Sequence, residues 1–408
     1  MRVPRLAFAV WLAGAAAIAV VWAACAVYDA SLLIPTAASA DAPSEAATPG
    51  GDAGVSDAGT DGPACTSLVA RPPAKDDGFD GGDYVMALRG LRVDILADAS
   101  TTAPPRGLNL DRTCTCPGPE SCKIPSTPSK DRCDDSEGRD NAAAAVFTNF
   151  SALAPEAFQP AFVREEVAAG RYTVLVRLQG YNGTPNDTKV AASMYASNGL
   201  EGIQDAKDGG GPTPKFDGND AWTIDPASTL GGDPTIGRDC RVDPQDCTAN
   251  PNFSDPNAYV SDGVLVARIN VPLAVTGLVS SYVVELKDAY LVGKLTPSGT
   301  GFGFVGEYTG RWGIGEMLRG LAFVRDPVSP SFLCRNNTTY QNVKKVLCGA
   351  LDLVADPQQD NKNVPCNAIS TALSLEMSPA QMGRVYKVPQ KVSPCPQDAD
   401  AGLDSCPP

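Results

Sequence analysis

SYVVELKDAYLVGKLTPSGTGFGFVGEYTG, residues 281–310, reads as two strands and the turn between them. Tyr282 to Leu295 and Phe302 to Thr309 read as the strands of a hairpin, and Thr296-Pro297-Ser298-Gly299-Thr300-Gly301 supplies the turn chemistry between them. Phe302, Phe304 and Tyr308 fall on one face; core packing is the expected role of that row, and a ligand platform is the alternative. Three more segments alternate with the same period. Leu91, Val93 and Ile95 alternate with Arg92 and Asp94; Tyr172, Val174, Val176 and Leu178 with Thr173 and Arg177; Leu265, Ala267, Ile269 and Val271 with Arg268 and Asn270. One buried and one wet face per strand favours antiparallel sheets. With 39 Gly and 35 Pro in 408 residues, turns are frequent and a helix-dominated fold is excluded.

After Arg311 the period changes. Ile314, Met317, Leu318, Leu321 and Val324 recur at helical spacing, as do Val343, Val346, Leu347, Ala350, Leu351 and Val354, with Thr338 and Gln341 as a capping box and Pro357 beyond the end. The expected fold is therefore α+β: an antiparallel β-rich, sandwich-like core over 65–310, with a C-terminal helical section over 311–388 packed on it. A Pro- and Cys-containing tail, 389–408, follows.

The N-terminus carries an address. Arg2 and Arg5 precede an uncharged apolar run from Leu6 to Ala24, the layout of an export signal. The run ends in Trp22-Ala23-Ala24-Cys25, which resembles the lipobox of bacterial lipoproteins, with Trp22 where the family prefers an aliphatic residue. The resemblance covers about 25 residues. It implies a signal peptide over 1–24, diacylglycerol on Cys25, and, since Ala26 rather than Asp follows, the outer membrane, on its periplasmic or cell-surface side. An uncleaved anchor and cleavage after Ala38-Ser39-Ala40 are the alternatives. Residues 25–64 are the expected lipid anchor and tether; from about Thr36 to Pro63 the chain is Ala, Gly, Asp, Ser, Thr and Pro with almost no large apolar residue, and such a segment cannot bury enough surface to offset its ordering entropy.

Cysteine parity agrees with this address. The chain has 13 Cys, and an odd thiol is awkward in an oxidising compartment. With Cys25 acylated, Cys65, Cys114, Cys116, Cys122, Cys133, Cys240, Cys247, Cys334, Cys348, Cys366, Cys395 and Cys406 remain for disulfides, and no CxxC pair suggests zinc. Twelve cysteines allow on the order of ten thousand pairings; neighbouring positions suggest Cys240 with Cys247 and Cys348 with Cys366.

Composition narrows the chemistry further. A formal net charge of −14 disfavours nucleic acid as a partner, and the absence of histidine excludes Ser-His-Asp and Cys-His nucleophile systems. Calcium is the cofactor that acidic loops could take, at Asp134, Asp135, Glu137, Asp140 and Asn141, at Asp217, Asn219 and Asp220, or at Asp356, Asp360, Asn361 and Asn363; none has EF-hand spacing, and solvated loops are the bland reading. Glu285 and Glu307 are the carboxylates a histidine-free hydrolase would use, and Trp222 could stack on a sugar or anchor its loop. No residue takes a catalytic role and no metal-ligand set is assigned on these signals. The expected function is binding or scaffolding in the envelope, with a glycan or envelope protein as partner besides the membrane; hydrolysis of envelope or extracellular polysaccharide is the alternative.

Overall fold

The computed structural model describes residues 65–407 apart from 66, 76–80, 94–105, 117, 136, 154–160, 206–210, 230–250, 277–280, 388–392 and 397–398. Cys25, the leader, the tether, and the suggested Cys240–Cys247 pair lie outside the described residues. Strands are β1 (Gly82–Val93), β2 (Thr173–Tyr181), β3 (Asp187–Ser197), β4 (Ala221–Ile224), β5 (Ser254–Ser261), β6 (Val264–Arg268), β7 (Pro272–Thr276), β8 (Ser281–Ser298), β9 (Gly301–Gly313), β10 (Ala368–Pro379) and β11 (Gln381–Val385). Helices are α1 (Ala142–Leu153), α2 (Ala161–Ala168), α3 (Ile314–Leu321) and α4 (Thr338–Gly349).

The sheet corrects the expected sandwich. Strands run β6-β5-β3-β2-β1-β10-β9-β8, every neighbour antiparallel, and β8 pairs back onto β6, so eight strands close into a barrel. Strand β8 makes this closure because it is 18 residues long and broken by a bulge between Lys287 and Tyr290. Before the bulge Ser281–Glu285 pairs with β7; after it, Tyr290–Lys294 pairs with β6. Nor is there a helical section: the 310/311 boundary falls inside β9, and β10, the strand between β1 and β9, completes the wall. Helices α3 and α4 do form where the spacing places them, but α4 is capped by Asn337, whose Oδ1 accepts the Thr339 and Tyr340 amides, instead of by a Thr338 box.

Side chains fill the barrel. Met86, Val176, Leu178, Met194, Leu291, Phe304, Tyr308 and Leu373 belong to one buried cluster, as expected when eight strands enclose little more than their own side chains. Gly293 and Gly306 are register partners, and a Cβ on either would meet the Phe304 ring within 2.7 Å; their lack of side chains lets β8 and β9 bend under that ring. The aromatic row is thus core. Tyr308 crosses to the β6–β7 connection, its hydroxyl donating to the Ile269 carbonyl (3.0 Å) and accepting from the Val271 amide (3.1 Å). Tyr308→Phe strips two buried backbone groups of their partner and is expected to lower unfolding free energy by about 1–3 kcal/mol in urea titrations.

A second core lies on the outer face of β1–β3, where Ala87, Leu175 and Tyr195 are covered by the parallel pair β4–β11. Trp222 is 0% exposed there, so it anchors its segment and is closed to a sugar. Elsewhere the outer wall carries ion pairs, Arg89 with Glu376 and Arg177 with Asp83. That is the reverse of a membrane-spanning barrel, which turns its apolar band outward. Among the described residues no helix is long and apolar enough to cross a membrane.

Five disulfides brace the described fold: Cys65–Cys114, Cys116–Cys133, Cys122–Cys366, Cys334–Cys395 and Cys348–Cys406. The suggested Cys348–Cys366 pair is therefore wrong. Cys366 lies at the foot of β10, where its amide bonds the Lys123 carbonyl (3.0 Å) beside Cys122, whereas Cys348 on α4 meets the tail. Tail residue 395 is tied to Cys334 in the connection between α3 and α4, and 406 to Cys348 on α4, so the folded part extends beyond 388.

Candidate functional site

Two excursions cover the outer wall at β6, β8 and β9: residues 106–141 after β1, and 350–367 before β10. They are held to each other by Cys122–Cys366 and by the amides of Lys123 and Asn361, which donate to Val364 and Ser121 carbonyls at 2.7 Å each. Arg311 fastens both to the barrel. It sits on the outward face of β9 and is 0% exposed, forking onto Asp360 (Nη1–Oδ1 and Nη2–Oδ2, 2.7 Å each). It also donates to the Val354 carbonyl (2.9 Å) and the Leu110 carbonyl (2.7 Å), with Nε 3.7 Å from Asp288. Guanidinium suits this place because its planar fork meets several acceptors at once.

Beside this staple lie two adjoining hollows that share Arg268, Asp288 and Pro357. One, about 420 Å³, is lined by Asn109, Asp111, Arg112, Tyr290 and Asn361; the other, about 550 Å³, by Phe253, Glu285, Lys287 and Asp356. Arg268 pairs with Asp288 (2.6 Å) and lies 6.0 Å from the Tyr290 ring centre. Local sequence explains how Asp288 comes to point outward: the β8 bulge places it at φ 47° and turns it toward Arg311. Arg112 (φ 62°) and Asn361 (φ 60°) are also left-handed, so three of the seven described non-glycine residues with positive φ line one cleft. Strained backbone concentrated at a cleft is a mark of functional sites.

The acidic loops fare differently from one another. Asp217 accepts the Asn219 amide and Asp220 the Lys215 and Phe216 amides, so that loop is consumed by its own turns. Asp356 caps the short turn at 357–359 and Asp360 is held by Arg311, while Asn361 lines the cleft. In the first loop Arg139 takes Asp135 and Glu137, and Asn141 bonds the Ala372 amide (3.2 Å). Asp134 and Asp140 remain, joined by Asn109 and Asp111, which no sequence pattern singled out, and by Asp352.

Each of three carboxylates here holds one backbone amide with one oxygen: Asp140 that of Leu110 (2.5 Å), Asp111 that of Thr113 (2.8 Å), Asp134 that of Thr115 (2.8 Å). Apart from a side-chain hydrogen bond between Asp134 and Asp140, the second oxygen of each is buried without a partner, as are Asn109 Oδ1 and Thr115 Oγ1. Burial, then the neighbouring Asp111 and Asp134 charges, hold Asp140 well above the carboxylate range; burial pushes Asp134 up to about 6. Among the described residues no group of three or more Cys, Asp or Glu is arranged to hold a metal ion.

Asp352 is buried beneath Ser370, which donates both its amide (2.9 Å) and its hydroxyl (2.5 Å) to it, and burial pushes its carboxyl up to about 8. A folded-state value above the unfolded one means that the proton stabilises the native state. That contribution is complete below about pH 4 and is lost as pH rises through about 8. In chelator, unfolding free energy should therefore fall over this window, by up to about 1.4 kcal/mol per pH unit for the single proton. Asp352→Asn should flatten the fall; a slope unchanged in that variant would assign the titration elsewhere.

Glu285 and Glu307 do not form a pair. Glu285 lines the larger hollow, whereas Glu307 accepts the Gly107 amide (2.8 Å) opposite Val292, seven positions further along β8, roughly 23 Å by strand rise. Glycosidase carboxylates stand about 5–10 Å apart. Comparison with known proteins adds no relative: no family model, no curated protein and no solved structure matches the chain.

Proposed function

We propose that this chain is a binding protein of the bacterial envelope, exported, held to the outer membrane by a lipid on Cys25, and taking a polyhydroxylated ligand, a glycan of envelope or extracellular origin, in the cleft at Asp288. The observation that carries the reading is the cleft itself. Arg268, Asp288 and Asn361 offer donors and acceptors beside the Tyr290 ring on a rigid wall, under loops that disulfides hold in place. Five disulfides support an oxidising compartment. A glycan array probed with the full mature chain should retain a defined set of sugars, and Arg268→Ala with Tyr290→Ala should lose them while melting as the parent does. Retention unchanged in that variant, or none in the parent, sinks the reading. Mass spectrometry of the native polypeptide tests the address: diacylglycerol on Cys25 is expected, and an intact leader overturns it.

One observation favours a second reading. Glu285, Asp288 and Asp356 line the larger hollow next to Phe253, a carboxylate grouping that histidine-free polysaccharide hydrolysis would use. Release of reducing ends from the retained glycan, abolished by Glu285→Gln, would establish it.

A further inference from the structure

We infer that Asp134 and Asp140, with neutral oxygens of the 109–115 segment, form a binding site for a divalent, oxygen-preferring cation, calcium by its chemistry. The two carboxylates are joined by a side-chain hydrogen bond, one proton shared between them, and apart from that proton neither Asp134 Oδ1 nor Asp140 Oδ1 has a partner. Around Asp140 the charged neighbours are Asp111, Asp134 and Asp352, all of one sign. The cation nearest in sequence, Arg139, is turned to Asp135 and Glu137.

An independent feature points to the same ligand. Asn109 is only 5% exposed, its amide nitrogen donates to the Thr113 carbonyl (2.9 Å), and its Oδ1 is buried without a partner. That carboxamide packs against Gly138, midway along the loop from Asp134 to Asp140: a Cβ on Gly138 would meet Asn109 Nδ2 at 3.2 Å. Thr115, 1% exposed, leaves its Oγ1 equally unpartnered next to the amide that Asp134 holds. Buried polar atoms are normally satisfied, and these unpartnered carboxylate, carboxamide and hydroxyl oxygens, gathered in one disulfide-tied loop, call for a cation that can take the place of the shared proton. Two carboxylates completed by amide, hydroxyl and backbone oxygens meet the needs of calcium, which does not require a third acid. Ion binding would replace mutual repulsion with shared coordination and set the loop that carries Asp111 and Arg112 into the cleft wall.

The test compares thermal melts of the full mature chain near neutral pH in calcium on the order of 1 mM and in chelator. Calcium should raise the melting temperature by about 4 °C, and calorimetric titration should show one site. Asp134→Asn with Asp140→Asn should abolish the shift and melt in chelator no lower than the parent, since the repulsion is gone. Equal melting temperatures of the parent in calcium and chelator overturn the inference, and so does a calcium shift that survives in the variant. Should the double variant fail to fold, the titration of the native chain decides: no saturable heat means no site.

Discussion

Arg311→Ala should lower unfolding free energy by about 3–5 kcal/mol, because it takes the counter-ion from Asp360 in a largely buried place and leaves Asp288 to Arg268 alone. The side chain is 0% exposed and makes four hydrogen bonds, two to Asp360 and one each to the Val354 and Leu110 carbonyls. Much of the loss is the penalty of the abandoned partners, so Arg311→Met combined with Asp360→Leu should recover a large part of it, a coupling that a double-mutant cycle in urea reads directly. Arg311→Lys should behave more like the alanine variant than like the parent, since an ammonium cannot reproduce the fork onto Asp360 while reaching both carbonyls. If the lysine variant is as stable as the parent, the fork is not what holds the excursions down. Because those excursions form the cleft wall, ligand retention should fall with stability.

Removing the Cys122–Cys366 bridge by Cys122→Ala with Cys366→Ala should cost about 5 kcal/mol by the loop-closure argument, because the two residues are 244 apart in sequence. Cys116–Cys133, separated by 17, should cost about 3 kcal/mol by the same formula. The order of the two losses tests whether unfolded-chain entropy dominates. A smaller loss for the long bridge would show that residual structure already brings the excursions together in the unfolded chain. Removing the long bridge should also loosen the cleft selectively, since it joins the two excursions whereas Cys116–Cys133 lies within one.

The alternating segments at 172–178 and 265–271 became barrel wall, the hairpin of 281–310 is β8 and β9, and the helical spacing of 314–321 and 343–347 was legible because polar and apolar residues recur along each at the period of its element, even where, as at Thr173 and Arg177, the polar positions are buried too. β10 was missed because its first half, Ala368 to Ala372, is buried on both faces and carries no alternation of polarity. From Leu373 on the alternation is present: Leu373, Leu375 and Met377 are apolar and join the core cluster, while Ser374, Glu376 and Ser378 lie between them. That signal could have placed the eighth strand. The buried carboxylates at Asp111 and Asp352 and the staple at Arg311 had none, since a charge in a Cys- and Pro-rich loop reads the same whether solvated or buried.

By itself the sequence determined that the chain is β-rich, which faces of its strands are apolar, where two of its helices lie, and that histidine chemistry is closed to it; these are properties of residue type and of periods two to four positions long. Tertiary structure alone decided closure, disulfide partners and the cleft. Each of them joins positions tens to hundreds of residues apart, as in β6 with β8, Cys122 with Cys366 and Gly107 with Glu307. A strand with one buried face satisfies a sandwich and a barrel equally well, and only the length and bulge of β8, which let one strand pair with two partners on the same edge, select between them.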